Sequence, residues 1–191
     1  MSPPEPSPGP SPEGVGAPTA PRAATLSFMV AHPAHAVALG FGSGLAPMAP
    51  GTAGTLAAWL AFWVLNPWLG DVAWAVVIAV SLGLGWMACT RCAQAMGVAD
   101  PSAIVWDEVV AFWIVLWLIT PASWVAQAVA FALFRYFDAA KPGPVAWADR
   151  LFKRNAGEGI TWRQGFGIML DDLVAALCTL LVMAMLKPWM P

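Results

Sequence analysis

Residues 109–134 carry no charged side chain across 26 consecutive positions, and the stretches 52–69 and 72–90 are equally free of charge. A fourth apolar stretch, 173–186, extends back through GFGIML if Asp171 and Asp172 are accepted inside it. A helix that crosses a bilayer needs about 20 apolar residues, so 52–69, 72–90 and the last stretch are long enough or nearly so. The 26-residue stretch is interrupted by Thr120-Pro121, and is either one kinked span or a tight pair of short helices. Composition agrees with a membrane as solvent. Hydrophobic residues make up 59% of the chain and charged residues 10%, where a soluble domain carries about 25% charged. Twelve Trp against one Tyr suits an interface where an apolar ring keeps its N–H wet.

Charge decides between the two readings of 109–134. With helices at 52–69, 72–90, 105–119, 122–134 and 168–187, the turns at 70–71 and 120–121 are tiny, and Asp71 is their only charge. The long polar segments 1–51, 91–104 and 135–167 then share one side. Eight of the nine Lys and Arg fall there: Arg22, Arg91, Arg135, Lys141, Arg150, Lys153, Arg154 and Arg163, with Lys187 opposite. Positive residues stay cytoplasmic, which makes that side the cytoplasm. A single kinked span would instead put 91–104 and 135–167 on opposite faces, so the hairpin is favoured. The expected fold is all-α, a polytopic membrane bundle of about four to five apolar helices with cytoplasmic connecting helices and loops.

Residues 1–24 are rich in Pro, Ser, Gly and Ala and cannot bury enough surface to offset their ordering entropy, which predicts a disordered tail before a membrane-embedded domain at 25–191. They have no basic n-region followed by an apolar run, so they do not read as a secretory signal. The net charge of -2 provides no basic field and argues against nucleic acid as a partner. Cys89 and Cys92 form a lone C-x-x-C with no second pair to complete a zinc site. They read as two small apolar residues on one helical face. His32 and His35 read as polar residues at the edge of the membrane domain.

The acidic residues concentrate the chemistry. Asp107 and Glu108 open the third apolar segment, and Asp171 and Asp172 interrupt the last. Ionisable groups beside a hydrocarbon span are costly and usually functional. Between the pairs, Arg135, Asp138 and Lys141 are spaced i, i+3, i+6, and Asp149-Arg150 follows a Pro-Gly-Pro turn. Two bases and two acids in this order suit a phosphate held by cations beside a metal held by carboxylates, although exposed i,i+3 ion pairs would give the same spacing. In GFGSGLAPMAPGTAGTL, small residues precede a helix that starts with Thr52 and Thr55, where backbone N–H groups can meet an anion; close helix packing is the alternative.

Absences narrow the reaction type. No Cys has an Arg six positions later, no Asp-x-Asp-x-Thr occurs, and no His lies beyond position 35. Chemistry here must use carboxylates, which points to a metal ion activating water.

Four blocks, GFGSGLAPMAPGTAGTL (40–56), DPSAIVWDEVVAFW (100–113), FRYFDAAKPGPVAWADR (134–150) and GFGIMLDDLVAA (165–176), resemble the phosphatidylglycerophosphatase A family. The resemblance runs in order through most of 38–187. It implies hydrolysis of phosphatidylglycerophosphate to phosphatidylglycerol and phosphate, with magnesium, at the bacterial inner membrane. It also implies that Asp107, Glu108, Asp138, Asp149, Asp171 and Asp172 are the acidic site residues, and that Arg135, Lys141 and Arg150 contact phosphate. The expected metal ligands come from Asp107, Glu108, Asp171 and Asp172, with Asp138 or Asp149 orienting the water or a cation. The chain departs from the family pattern in the insertion NAGEGITWRQ (155–164) and in the tail. A phosphatase for another phospholipid head group, a membrane scaffold without catalysis, and a small transporter are the rival expectations. No internal repeat supports the transporter.

Overall fold

The computed structural model describes residues 21–152 and 159–189, and among these there are helices and turns but no strand. Residues 1–20 of the expected tail, with Lys153, Arg154 and positions 155–158 of the insertion, lie outside the described residues.

Two short helices, α1 (Leu26–Val30) and α2 (Pro33–Ala38), and a 3₁₀ segment at Gly40–Leu45 precede the bundle. His32 caps α2, its Nδ1 accepting from the Ala34 N–H at 3.0 Å. His35 stacks on Phe28 with ring centroids 4.2 Å apart. Both histidines are structural at this edge. The main helices are α3 (Pro50–Leu65), α4 (Asp71–Met96), α5 (Trp106–Ile119), α6 (Trp124–Ala140), α7 (Pro144–Leu151) and α8 (Trp162–Leu186).

Their ends follow from local chemistry. Pro50 takes the first position of α3, where its missing N–H costs nothing. α4 starts after Gly70 with Asp71 in its first turn, and stops at Gly97, which adopts φ 71°. Ser123 caps α6 by accepting from the Ala126 N–H at 3.2 Å. α6 ends at Lys141, in the left-handed region at φ 44°, just before Pro142. A reciprocal capping box between Thr161 and Gln164 opens α8.

A helix overlaps each of the five expected segments, with shifted ends, and two of these helices are long and apolar enough to cross a membrane. α3 stops at Leu65, four residues before the expected end. α6 runs on to Ala140, so Arg135 and Asp138 are carried on the same helix as the apolar residues before them. α8 begins at Trp162, so Asp171 and Asp172 sit well inside it. The segment 109–134 forms two helices rather than one: Glu108 in the first turn of α5 meets Arg135 near the end of α6, so the chain reverses between them.

α5 is the centre of the bundle, with α3, α4, α6 and α8 packed around it. Val110, Ala111, Phe112, Val115 and Leu116 are fully buried on it. Close packing on α4 depends on Gly85, since a Cβ there would lie 2.6 Å from Trp106 Cδ1. Cys89 and Cys92 are unpaired and buried in the same core, as apolar packing residues.

The outward faces are apolar too: Leu56, Leu60, Val76, Val80, Leu84, Leu177, Leu181 and Met185 are all exposed. A helix apolar on every side suits lipid rather than water. α4 (26 residues) and α8 (25 residues), each containing an 18-residue stretch of mean hydropathy 2.1, are long and apolar enough to cross a membrane. The fold is consistent with membrane association. α3, with 16 residues, is a shorter apolar helix.

Candidate active site

The start of α3, the start of α5, the end of α6, the loop before α5 and the middle of α8 converge on one cavity of about 240 Å³. Its walls include Gly51, Asp100, Ser102, Asp107, Glu108, Arg135, Asp138, Lys141, Asp171 and Asp172. Residues separated by more than 120 positions in sequence thus share one small volume.

Five carboxylates here are buried: Asp107, Glu108, Asp138, Asp171 and Asp172, the last only 3% exposed. Two cations partner some of their oxygens. The Arg135 guanidinium donates to Glu108 Oε1 at 3.0 Å and to Asp138 one turn below it. The Lys141 ammonium donates to Asp149 Oδ1 at 2.7 Å and to Asp171. Burial works against the charged ammonium, but the hydrogen bonds to Asp149 and Asp171 outweigh it and hold the Lys141 pKa above the ordinary lysine range.

The pairing is incomplete. Asp107 Oδ1, Glu108 Oε2, Asp171 Oδ1 and Asp172 Oδ2 are buried with no hydrogen-bond partner among the described residues. Unpaired buried carboxylate oxygens cost several kcal/mol, at roughly 1–3 kcal/mol or more each. A group that supplies positive charge and accepts hard oxygen ligands would remove that cost. Glu108, Asp138 and Asp172 can each offer one oxygen within 4.8 Å of the others. All-oxygen donors of this kind fit magnesium or calcium rather than a soft metal. The residues present therefore fit a divalent cation.

The start of α3 adds a further element. No side chain caps it, and Ala49 before it adopts φ 47°. Its first N–H groups carry positive character and Gly51 faces the Glu108 carboxylate so closely that a Cβ would overlap it.

Most of the residues expected from sequence meet here. Asp107, Glu108, Arg135, Asp138, Lys141, Asp171 and Asp172 line the cavity, and Asp149 joins it through Lys141. Besides Asp149, three do not line it. Arg150 is exposed on α7. Thr55 is fully buried, its hydroxyl donating to the Gly51 carbonyl at 2.8 Å. Thr52 is half-buried on α3, and the part of this region that lines the cavity is 49–51. Asp100, Ser102 and Gly51 were not singled out in the sequence. Asp100 and Ser102 do lie in the same block as Asp107 and Glu108, in the loop between α4 and α5.

Fold and site together define an all-helical protein whose apolar bundle ends in a carboxylate cavity bridged by a guanidinium and an ammonium. The family model for Phosphatidylglycerophosphatase A matches residues 36–187, which include every one of these side chains. Phosphatidylglycerophosphatase A of Escherichia coli (strain K12) is 39% identical over 146 residues, covering 76% of this chain and 78% of that protein. Phosphatidylglycerophosphatase A of Haemophilus influenzae is 40% identical over 159 residues, covering 83% and 91%. A protein of Bacteroides thetaiotaomicron named "Putative phosphatidylinositol-3-phosphatase" is 34% identical over 159 residues, covering 79% and 91%. No solved structure matches the chain. The chain belongs to the phosphatidylglycerophosphatase A family.

Proposed function

We propose that this protein removes the terminal phosphate of phosphatidylglycerophosphate, giving phosphatidylglycerol and phosphate, as a magnesium-dependent enzyme of the bacterial inner membrane. The observation that carries this reading is the set of partnerless carboxylate oxygens beside Arg135 and Lys141 in a single cavity, in a member of this family.

In this reading Arg135 and Lys141 neutralise the phosphate monoester dianion, exchanging part of their present carboxylate contacts for phosphoryl oxygens. Asp107, Glu108, Asp171 and Asp172, together with Asp138, would hold magnesium. Bound there, it would supply charge neutralisation at the phosphoryl group and acidify water. A water attacks phosphorus and gives its proton to a carboxylate, with Asp138 or Asp149 as the candidates. The bond from phosphorus to the glycerol oxygen breaks, and that oxygen takes up a proton. The backbone at 49–51 orients the phosphoryl group through the start of α3.

The proposed topology is multi-pass. α4 and α8 cross the bilayer, while α3 and the α5–α6 hairpin complete the bundle. The site end then carries the basic residues, which places it at the cytoplasm. Only the head group need leave the lipid phase.

The test is phosphate release by purified protein from phosphatidylglycerophosphate in micelles, with and without magnesium, against phosphatidic acid and phosphatidylinositol 3-phosphate. Magnesium-dependent release favouring phosphatidylglycerophosphate is the expected result. Preference for the inositol lipid, which the name of the Bacteroides relative makes a specific alternative, would move the assignment to another head group. No release from any of the three would favour a scaffold.

A further inference from the structure

α3 and α6 both pack on α5, yet their backbones hardly meet each other. Each of these two helices contributes to two cavities. The first is the active-site cavity, bounded by residues 49–51 at the start of α3 and by Arg135, Asp138 and Ala139 near the end of α6. The second is a groove of about 250 Å³ lined by Leu56, Trp59, Leu60, Trp63 and Trp124. Since α3 leads away from the site and α6 returns to it, the groove lies on the same two helices, further from the site.

The groove has an unusual floor. Trp59 spans the gap, its indole N–H donating to Gln127 Oε1 at 2.7 Å and its ring stacked on Phe131 at 5.7 Å. With that polar group satisfied, the groove offers hydrocarbon and aromatic surface. Leu56, Leu60 and Trp63 follow at i, i+4 and i+7, one face of α3. All three are open to the outside, Leu60 at 62%.

Its depth matches one ligand chemistry. At 1.5 Å per residue, Leu56 and Trp63 lie about 8 and about 18 Å along the axis from Gly51. Half of a hydrocarbon core of about 30 Å is about 15 Å, the depth of one leaflet's acyl chains. The geometry points to an acyl-chain track: with the substrate's phosphate in the active-site cavity, one fatty acyl chain lies on the outer face of α3 along Leu56, Leu60 and Trp63, over Trp59. This rests on the lipid-phosphatase reading above and names how that site selects a membrane lipid over a water-soluble phosphate ester.

The test compares dioleoyl with dihexanoyl phosphatidylglycerophosphate in the same micelles, reading the ratio of their kcat/KM values. A six-carbon chain is too short to fill the track. Leu60→Trp, which fills the groove, should lower the ratio of long-chain to short-chain kcat/KM about tenfold, corresponding to about 1.4 kcal/mol. Leu60→Ala should leave room for the chain and weaken the same preference by a smaller factor. Val80→Trp on the outer face of α4 is the control and should leave the ratio unchanged. A parental ratio in both Leu60 variants, or an equal fall in Val80→Trp, overturns the track. Absence of phosphate release from either lipid by the unmutated protein would instead overturn the phosphatase reading.

Discussion

The Arg135 guanidinium, near the end of α6, reaches the Glu108 carboxylate in the first turn of α5 at 3.0 Å. This contact closes the α5–α6 hairpin at the site end, and the same Nη1 also holds Asp138. One side chain therefore serves both the fold and the proposed phosphate site.

Replacing Arg135 with Ala leaves Glu108 and Asp138 buried without their cation. Breaking a buried ion pair from one side costs about 3–5 kcal/mol, and loss of a charge-stabilising donor typically costs about 10²–10³ in kcat. Both effects are expected together, in thermal unfolding and in phosphate release. Arg135→Lys should recover more stability than activity, because an ammonium replaces the charge but not the planar fork.

Asp172 separates the two roles of the carboxylate cluster. It is 3% exposed, and its Oδ2 has no hydrogen-bond partner among the described residues. Asp172→Asn removes one buried negative charge from a crowded site. Without magnesium it should therefore raise the melting temperature, by an amount equivalent to about 1 kcal/mol or more. With magnesium, its activity should fall and its stabilisation by the ion should shrink. Melting curves with EDTA and with added magnesium test both signs.

Gly51 lies against the Glu108 carboxylate. A Cβ there would overlap it, so Gly51→Ala must displace either α3 or the carboxylate. We expect a loss of about 1–3 kcal/mol in stability and a higher magnesium requirement. Titration of activity with magnesium separates the second effect from the first.

Lys141 gives a pH prediction. Its pKa is raised in the folded protein, with burial opposing and Asp149 and Asp171 favouring the charge. A raised pKa contributes stability that is complete below the unfolded value, about 10.4, and is lost as pH rises through the folded value. Unfolding midpoints should therefore show no Lys141-dependent change between pH 6 and 9, taken as roughly the range of an ordinary assay. Lys141→Met should lower the midpoint throughout that range and flatten the alkaline decline. A Lys141-dependent decline already at neutral pH would contradict the paired geometry.

Arg150 is the counter-case. It is exposed and does not line the cavity, so Arg150→Ala should reduce kcat/KM far less than Arg135→Ala. Equal losses would show that α7 moves to bring Arg150 to the substrate.

The apolar stretches, the segregation of Lys and Arg, and the acid pairs are properties of local sequence. They were enough to indicate an all-helical bundle, a hairpin turning at 120–121 and the end at which the charges meet, because long uncharged runs and costly ionisable groups admit few arrangements. Helix ends were less legible. α6 extends through Arg135 and Asp138 because its amphipathic last turns pack at the site, and hydropathy drops there although the helix continues. What each polar residue touches was decided by tertiary packing alone. Thr55 turns to its own helix while Gly51 faces Glu108, and Asp171 pairs with Lys141 while Asp172 is left with a partnerless oxygen. Adjacent residues on a helix point about 100° apart, so their neighbours depend on how that helix is rotated in the bundle, and that rotation is set by all five apolar helices packing at once.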